Sequence, residues 1–303
     1  MTTLFLRLIQ PSQTSEEGRF LRTQWLISET DGSVRSSGVA DLRGLTELVD
    51  PAADWLKNPA NLVVLVPAHL VTNVNCDVPG RNANQIRRAL PFVVEEFIAS
   101  DIESMHVAAG KIAPGEQVRA LVVERELLDD WLAALGEAGL RPGHLLPDAE
   151  LLGSSMARTS IWFDGEEALV RSHNNVASVD VDNLEFVLPQ FLDETLEELE
   201  LVVANGNLDP LLAAQLPEQC KVHNVLVPEQ DEGLLAYLAQ QWGKSSGTST
   251  ARINLLQGDY QTRLETTANS GRISTLLKFA GLWFVIALGA QAAKAVYARL
   301  QGR

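Results

Sequence analysis

Cysteine is scarce in this chain. Only Cys76 and Cys220 occur in 303 residues, and neither has a second Cys or a His at a ligand spacing. A disulfide framework and a thiolate metal site are therefore not expected, and the pair fits the reduced cysteines of a cytosolic domain. The five histidines, His69, His106, His144, His173 and His223, lack the i,i+4 spacing and glutamate partner of a zinc helix. The GxSxG spacing occurs at Gly243–Gly247, but in a polar linker and not at a strand-to-helix elbow, and there is no Walker loop and no GxGxxG turn. No catalytic residue, metal ligand or cofactor is expected on these grounds. Basic residues are also few, 24 Lys/Arg against 39 Asp/Glu, for a net charge of −15. Binding to nucleic acid, whose phosphates need a Lys/Arg surface, is excluded as an expectation. The N-terminal MTTLFLRLIQPS has neither a long apolar core nor a small-residue cleavage site, so it does not read as a signal peptide.

What charge there is lies unevenly. Seven of the Lys/Arg fall between Arg252 and Arg303, with only Asp259 and Glu265 against them, so the last 53 residues sum to +5 and residues 1–250 to −20. An acidic body is repelled by anionic lipid and a basic tail is drawn to it. The tail also holds the longest apolar stretch, Leu276–Tyr297, of which Phe279–Ala293 is free of charge. A membrane span takes about 20 mostly apolar residues, and Lys278 and Lys294 can snorkel to close the gap. The competing reading is a buried or amphipathic soluble helix. The polar linker Gly243–Thr250 favours the anchor, since a tethered domain needs flexible sequence before its tether.

Upstream, apolar patterning predicts strands at Leu4–Ile9 and Phe20–Ile27 with a turn at Asp31–Gly32, a helix over Leu45–Leu56, and strands at Leu62–Val66 and Val71–Val78. A polar helix from Asn82 should break at Pro91 and restart as a short helix Phe92–Ile98, because proline removes a backbone donor. Val118–Val123 reads as a strand and Arg125–Ala138 as an amphipathic helix ended by Gly139. A second lobe opens with the meander Ser160–Phe163, Glu167–Arg171 and Val176–Val181. A helix follows near Leu188–Glu198, with DETLEELE as its solvated acidic face, then strands at Leu201–Ala204 and Val222–Val227. Helices near Asp209–Gln215 and Glu232–Trp242 flank the last strand. Strands and helices so interleaved predict a mixed α/β fold of two lobes.

The two-lobed pattern resembles the actin-like, RNase H-like superfamily, in which two glycine-containing turns close on ATP. The turns here lack that chemistry: the first reads LRLIQPSQT without Asp-x-Gly, and the second, TSIWFDGEEALV, places two glutamates where a triphosphate would lie. VVANGNLDPLL, at the place of the adenosine loop, has the single glycine Gly206. The nucleotide site reads as eroded; an active actin-like ATPase with unusual phosphate loops is the alternative.

Four segments carry a closer resemblance: LVVLVPAHLVTNVNCDVPG (Leu62–Gly80), QIRRALPFVVEEFIASDIESMHVAAG (Gln85–Gly110), LLDDWLAALGEAGLRPGHLLPDAELL (Leu127–Leu152) and INLLQGDYQ (Ile253–Gln261). In this order they are similar to the type II secretion system protein L family. The resemblance implies a first actin-like lobe at 1–79, an inserted small α/β subdomain at 80–148 and a second lobe at 149–242. A linker and juxtamembrane segment at 243–275, a transmembrane helix at 276–297 and the start of a periplasmic part at 298–303 follow. It implies a scaffold of the bacterial inner membrane, single-pass with a cytoplasmic N-terminus. The cytoplasmic region would bind the secretion ATPase (the E component), and the span and periplasmic part would pair with the M component and a second copy of L. The charges around the span, Arg272 and Lys278 before it and Lys294, Arg299 and Arg303 after it, taken alone favour the reverse orientation. The ATPase-binding surface is expected on Gly80–His144, centred on Gln85–Ile98, with Arg88, Pro91, Phe92, Glu95, Glu96, Phe97 and Asp101 as its residues.

Overall fold

The run TLFLRLI is buried on both alternating faces, Arg7 included, as a central strand covered on two sides is. Around it the chain builds its first layer. In a computed structural model of the protein, residues 2–9, 22–153, 158–164, 166–173, 175–192, 196–203, 218, 220–227, 233–244 and 252–261 are described. The elements are β1 (Thr3–Ile9), β2 (Arg22–Ser28), β3 (Val34–Asp41), α1 (Leu42–Leu48), β4 (Leu62–Val66), β5 (Thr72–Cys76), α2 (Ala83–Val94), β6 (Met105–Ala109), β7 (Val118–Glu124), α3 (Arg125–Glu137) and β8 (His144–Pro147). They continue with β9 (Arg158–Asp164), β10 (Glu167–Arg171), β11 (Val176–Asp180), α4 (Leu184–Val187), β12 (Glu198–Val203), β13 (Lys221–Leu226) and α5 (Gly233–Lys244).

Two five-stranded sheets share one plan. The first has the order β3-β2-β1-β4-β8 and the second β11-β10-β9-β12-β13. In each, three antiparallel meander strands are followed by two parallel ones, joined by crossovers. This duplicated plan is the two-lobed mixed α/β architecture that the strand pattern predicts. A third sheet, β5-β7-β6, is antiparallel throughout and carries α2. It takes in Thr72–Cys76 from before residue 80, while α3 and β8 pack with the first sheet.

Burial follows the alternation of β1. Leu4, Leu6 and Leu8 face a core built with Leu128, Trp131 and Leu135 of α3 and with Leu121 and Val123 of β7. Phe5, one residue out of phase, faces the opposite core with Trp162 and Leu169 of the second sheet and Leu235 and Leu238 of α5. The last helix thus packs where the two sheets face each other. Helix α3 ends as its sequence demands, with Gly139 at φ +72°, a conformation L side chains rarely adopt.

Strands β3, β6 and β8 are not named by the sequence patterning, and three expected elements differ from their expectation. The helix expected over Leu45–Leu56 is α1 followed by a separate 3-10 turn at Asp54–Lys57, because Pro51 intervenes. Helix α2 does not break at Pro91 but runs on to Val94 before a 3-10 turn at Glu95–Phe97. Pro91 forfeits only the one bond its N–H would make to the Arg87 carbonyl, and the helix continues past it, with Glu95 N–H bonding the Pro91 carbonyl. The acidic helix expected around Leu188–Glu198 is mostly absent. Leu184–Gln190 is short helix, and Glu198–Val203 is strand β12, whose alternating Leu199 and Leu201 are buried. Period two won over period 3.6 once a parallel partner lay on each side. The helix expected near Asp209–Gln215 and the span at 276–297 lie outside the described residues, as do 298–303. Among the described residues, no helix is long and apolar enough to cross a membrane.

Candidate partner-binding surface

Helix α2 is secured at its start. The side chain of Asn82 accepts from Gln85 N–H (3.0 Å), and the Gln85 side-chain oxygen accepts from Arg81 N–H (2.9 Å). The first bond satisfies a donor that the helix leaves orphaned, and the second ties down the residue before the cap. Ile86, Leu90 and Val94, at i, i+4 and i+8, bury against Val74, Cys76, Met105, Val118, Ala120 and Val122 of the small sheet. One apolar stripe accounts for the helix's own packing.

A second stripe has no such role. Phe92 is 71% exposed and Phe97 54%, although an aromatic ring gains most from burial. Arg88, Glu95, Glu96 and Asp101 are exposed beside them, and Pro91, Val93 and Ile98 are half-buried. All seven expected site residues thus lie on one short stretch of the small sheet's covering layer. They do not share one role there. The Asp101 carboxylate accepts from Glu103 N–H (3.0 Å), which caps the 3-10 turn Ile102–Ser104. Basic Arg81 and Arg88 lie toward the start of the helix, with Glu95, Glu96, Asp101 and Glu103 after its end. The patch therefore has an aromatic centre and a rim of opposite signs at its two ends, the anatomy of a specific interface.

Where the sheets meet, a different kind of polar site appears. Arg7 of β1 donates to Asp148 (2.9 Å), which also accepts from Ala68 N–H (3.2 Å) and Ala149 N–H (2.9 Å). Burial pushes the Asp148 carboxyl up against the pull of Arg7. Two residues on, Glu150 has a side chain with no exposure and takes hydrogen bonds from Arg119 of β7 and Arg171 of β10. Burial alone would raise the Glu150 carboxyl, but the two guanidiniums, Arg171 foremost, hold it below the ordinary range. His69 and Glu167 pair at 2.9 Å nearby, and the Arg7 guanidinium stacks 4.7 Å from the Trp162 ring. Asp148 and Glu150 thus join the first sheet, the small sheet and the second sheet through three arginines.

Sequence reasoning did not single out this junction. Its signals are a lone arginine in an apolar strand, LFLRLI, and two acids in LLPDAELL, neither of which names a partner. The turn Asp164–Gly165, read as a hairpin, does join paired strands: Glu167 lies across from Asp164. The Glu167 carboxylate bonds His69 and Ser178. Beyond Ile9 and Val203, the segments read as the first phosphate turn and the adenosine loop lie outside the described residues. Among the described residues, no group of three or more His, Cys, Asp or Glu could hold a metal ion.

Comparison with known proteins adds the following. The family model for type II secretion system (T2SS) protein L matches residues 7–263. Type II secretion system protein L of Pseudomonas aeruginosa is 38% identical over 152 residues, 50% of this chain and 35% of that protein. The Vibrio cholerae protein of the same description is 24% identical over 271 residues, 88% of this chain and 59% of its own length. The matched regions therefore span from a third to three fifths of these relatives. Among solved structures, the cytoplasmic domain of EpsL, described as an inner membrane component of the V. cholerae system, aligns with a TM-score of 0.66. That alignment has 20% identity and covers 86% of this chain and all of the other, so it bears on fold alone.

Proposed function

This chain belongs to the type II secretion system protein L family, and from that premise we propose that it is a non-catalytic scaffold of the secretion apparatus. In this reading its globular part recruits the cytoplasmic secretion ATPase, the E component, to the inner membrane. The apolar tail at 276–297 crosses that membrane once with the N-terminus in the cytoplasm. The tail and the chain beyond it engage the M component and a second copy of L. The observation that supports recruitment is the pair Phe92 and Phe97, solvent-exposed rings on α2 and on the 3-10 turn that follows it, where the helix's own packing is complete without them. Exposed aromatics within a charged rim are what an interface hot spot requires.

The test uses the full chain in detergent and the purified ATPase of the same organism. Phe92→Ser with Phe97→Ser should weaken binding at least about tenfold, since truncating a hot-spot residue costs 2 kcal/mol or more. The melting temperature should not change. Unchanged affinity with an unchanged melt places the interface elsewhere. The non-catalytic reading is supported by Glu167, which stands with a second glutamate, Glu166, in the hairpin that would face a triphosphate. Titration calorimetry with Mg-ATP should show no binding in the low micromolar range, and finding it would return the ATPase alternative.

A further inference from the structure

We propose that residues 252–260 form a strap that holds the rest of the C-terminal chain non-covalently, at the seam between the first sheet and the small sheet. The seam is made by two edge strands, β8 of the first sheet and β6 of the small one, whose outer backbone groups need partners. The strap supplies them. Leu255 N–H donates to Leu145 O (2.9 Å), and the Asn254 side chain accepts from Leu145 N–H (3.0 Å) and donates to Gly143 O (2.9 Å). On the other side, the Gln257 amide imitates a strand residue. It accepts from Ala109 N–H (3.1 Å) and donates to Ala109 O (2.9 Å).

Apolar burial reinforces these bonds. Ile253, Leu255 and Leu256 are buried in the core that β1 and α3 also line. His106 of β6 bonds Leu255 O through Nε2 (2.7 Å); a carbonyl only accepts, so this nitrogen carries the proton. Tyr260 then packs edge-on against the His106 ring at 4.8 Å. Gly110 lets the strap approach: a Cβ there would stand 3.1 Å from the Ile253 side chain and 3.0 Å from Arg119 O. At the other end Arg252 donates to Gln241 O (2.7 Å) and Trp242 O (3.3 Å), closing the end of α5.

Displacement of the chain beyond residue 261 is therefore resisted at β6 and β8. Strand β6 shares its small sheet with the packing face of α2, so the strap also sets the order of the layer that carries Phe92 and Phe97. The holding claim stands without the partner assigned above; only its consequence for recruitment rests on that reading.

The test replaces Ser245–Thr250 with a protease site in the full chain, which is then cleaved in detergent. With 0.5 M salt present to screen attraction between acidic body and basic tail, the body should remain with the tail's micelle on size exclusion. Separation of the cleaved, otherwise unsubstituted protein overturns the proposal, with no folding question attached. Gln257→Ala with Leu255→Asp should release the body. On release, amide exchange in Met105–Ala109 should rise at least tenfold, while exchange in Glu167–Arg171 stays unchanged. Should the double variant melt early, Gln257→Ala alone serves, with a rise confined to the same strand. Equal change in both strands, or none in β6, overturns the coupling to the small sheet.

Discussion

Two groups of carboxylates in this molecule have the same chemistry and opposite fates. Asp148 and Glu150 lie buried among Arg7, Arg119 and Arg171 where the three sheets meet. Glu95 and Glu96 stand in water at the end of α2. A buried carboxylate is held in place by its partners and cannot lose one without leaving a naked charge in a low-dielectric site. An exposed one contributes almost nothing to stability, and its field extends into solvent where an approaching partner meets it. The first group therefore fixes how the sheets are joined, and the second is free to serve recognition.

That contrast can be broken most severely at the junction. Glu150→Ala should cost about 3–5 kcal/mol of unfolding free energy, because Arg119 and Arg171 lose their shared partner. Denaturant titration measures it; a change under 1 kcal/mol would mean that water replaces the carboxylate without penalty. Glu95→Ala, by the same measurement, should stay within about 0.5 kcal/mol.

A smaller effect separates the two faces of α2. Leu90→Ala should destabilise by about 2–4 kcal/mol, since it empties a site in the small core, while Phe92→Ala should leave the melt in place. Equal losses from both would show that Phe92 packs in solution. Next comes the rim. Glu95→Lys with Glu96→Lys should slow association with the ATPase several-fold at low salt and leave the dissociation rate nearly unchanged. A stopped-flow series in salt checks this; loss of affinity through faster dissociation would place these carboxylates inside the contact.

The smallest effect is the pH dependence of the half-exposed pair beside the junction. The hydrogen bond that His69 donates to the Glu167 carboxylate raises the His69 pKa, and the same bond lowers that of Glu167. A raised histidine contributes fully below its ordinary value of 6.5 and loses its contribution as pH rises through the folded value. A lowered glutamate contributes above 4.5 and loses its contribution as pH falls. The pair is thus complete between these two values. With both groups about a third exposed, His69→Ala should cost under about 1 kcal/mol there and nothing at pH 9. A cost that persists at pH 9 would mean that His69 packs rather than pairs.

The secondary structure was legible where one period dominated: Leu62–Val66, the meander after residue 158 and helix α3 with its terminal glycine all fall where patterning puts them. It was misread where two periods competed. The stretch Leu196–Leu201 supports a helix by the spacing of Leu196 and Leu199 and a strand by the alternation of Leu199 and Leu201, and only β9 and β13 on its flanks decide. The candidate surface residues were named from a family signature and a proline; that Phe92 and Phe97 are exposed while Val93 and Ile98 pack partly against the core was decided only with the small sheet in place.

The sequence by itself determined the strands where alternation or an apolar run is strong, though not β3, β6 or β8, and with them the acidic body and the apolar, basic tail, because alternation and charge are local properties. It also marked INLLQGDYQ as a unit without showing where that unit goes. The tertiary structure decided the rest: that Arg7 meets Asp148 across 141 positions, and that Gln257 meets Ala109 across 148. Such pairs have no signature along the chain. They form because sheet packing brings remote edges together and leaves buried charges and unpaired strand groups that must be satisfied on the spot.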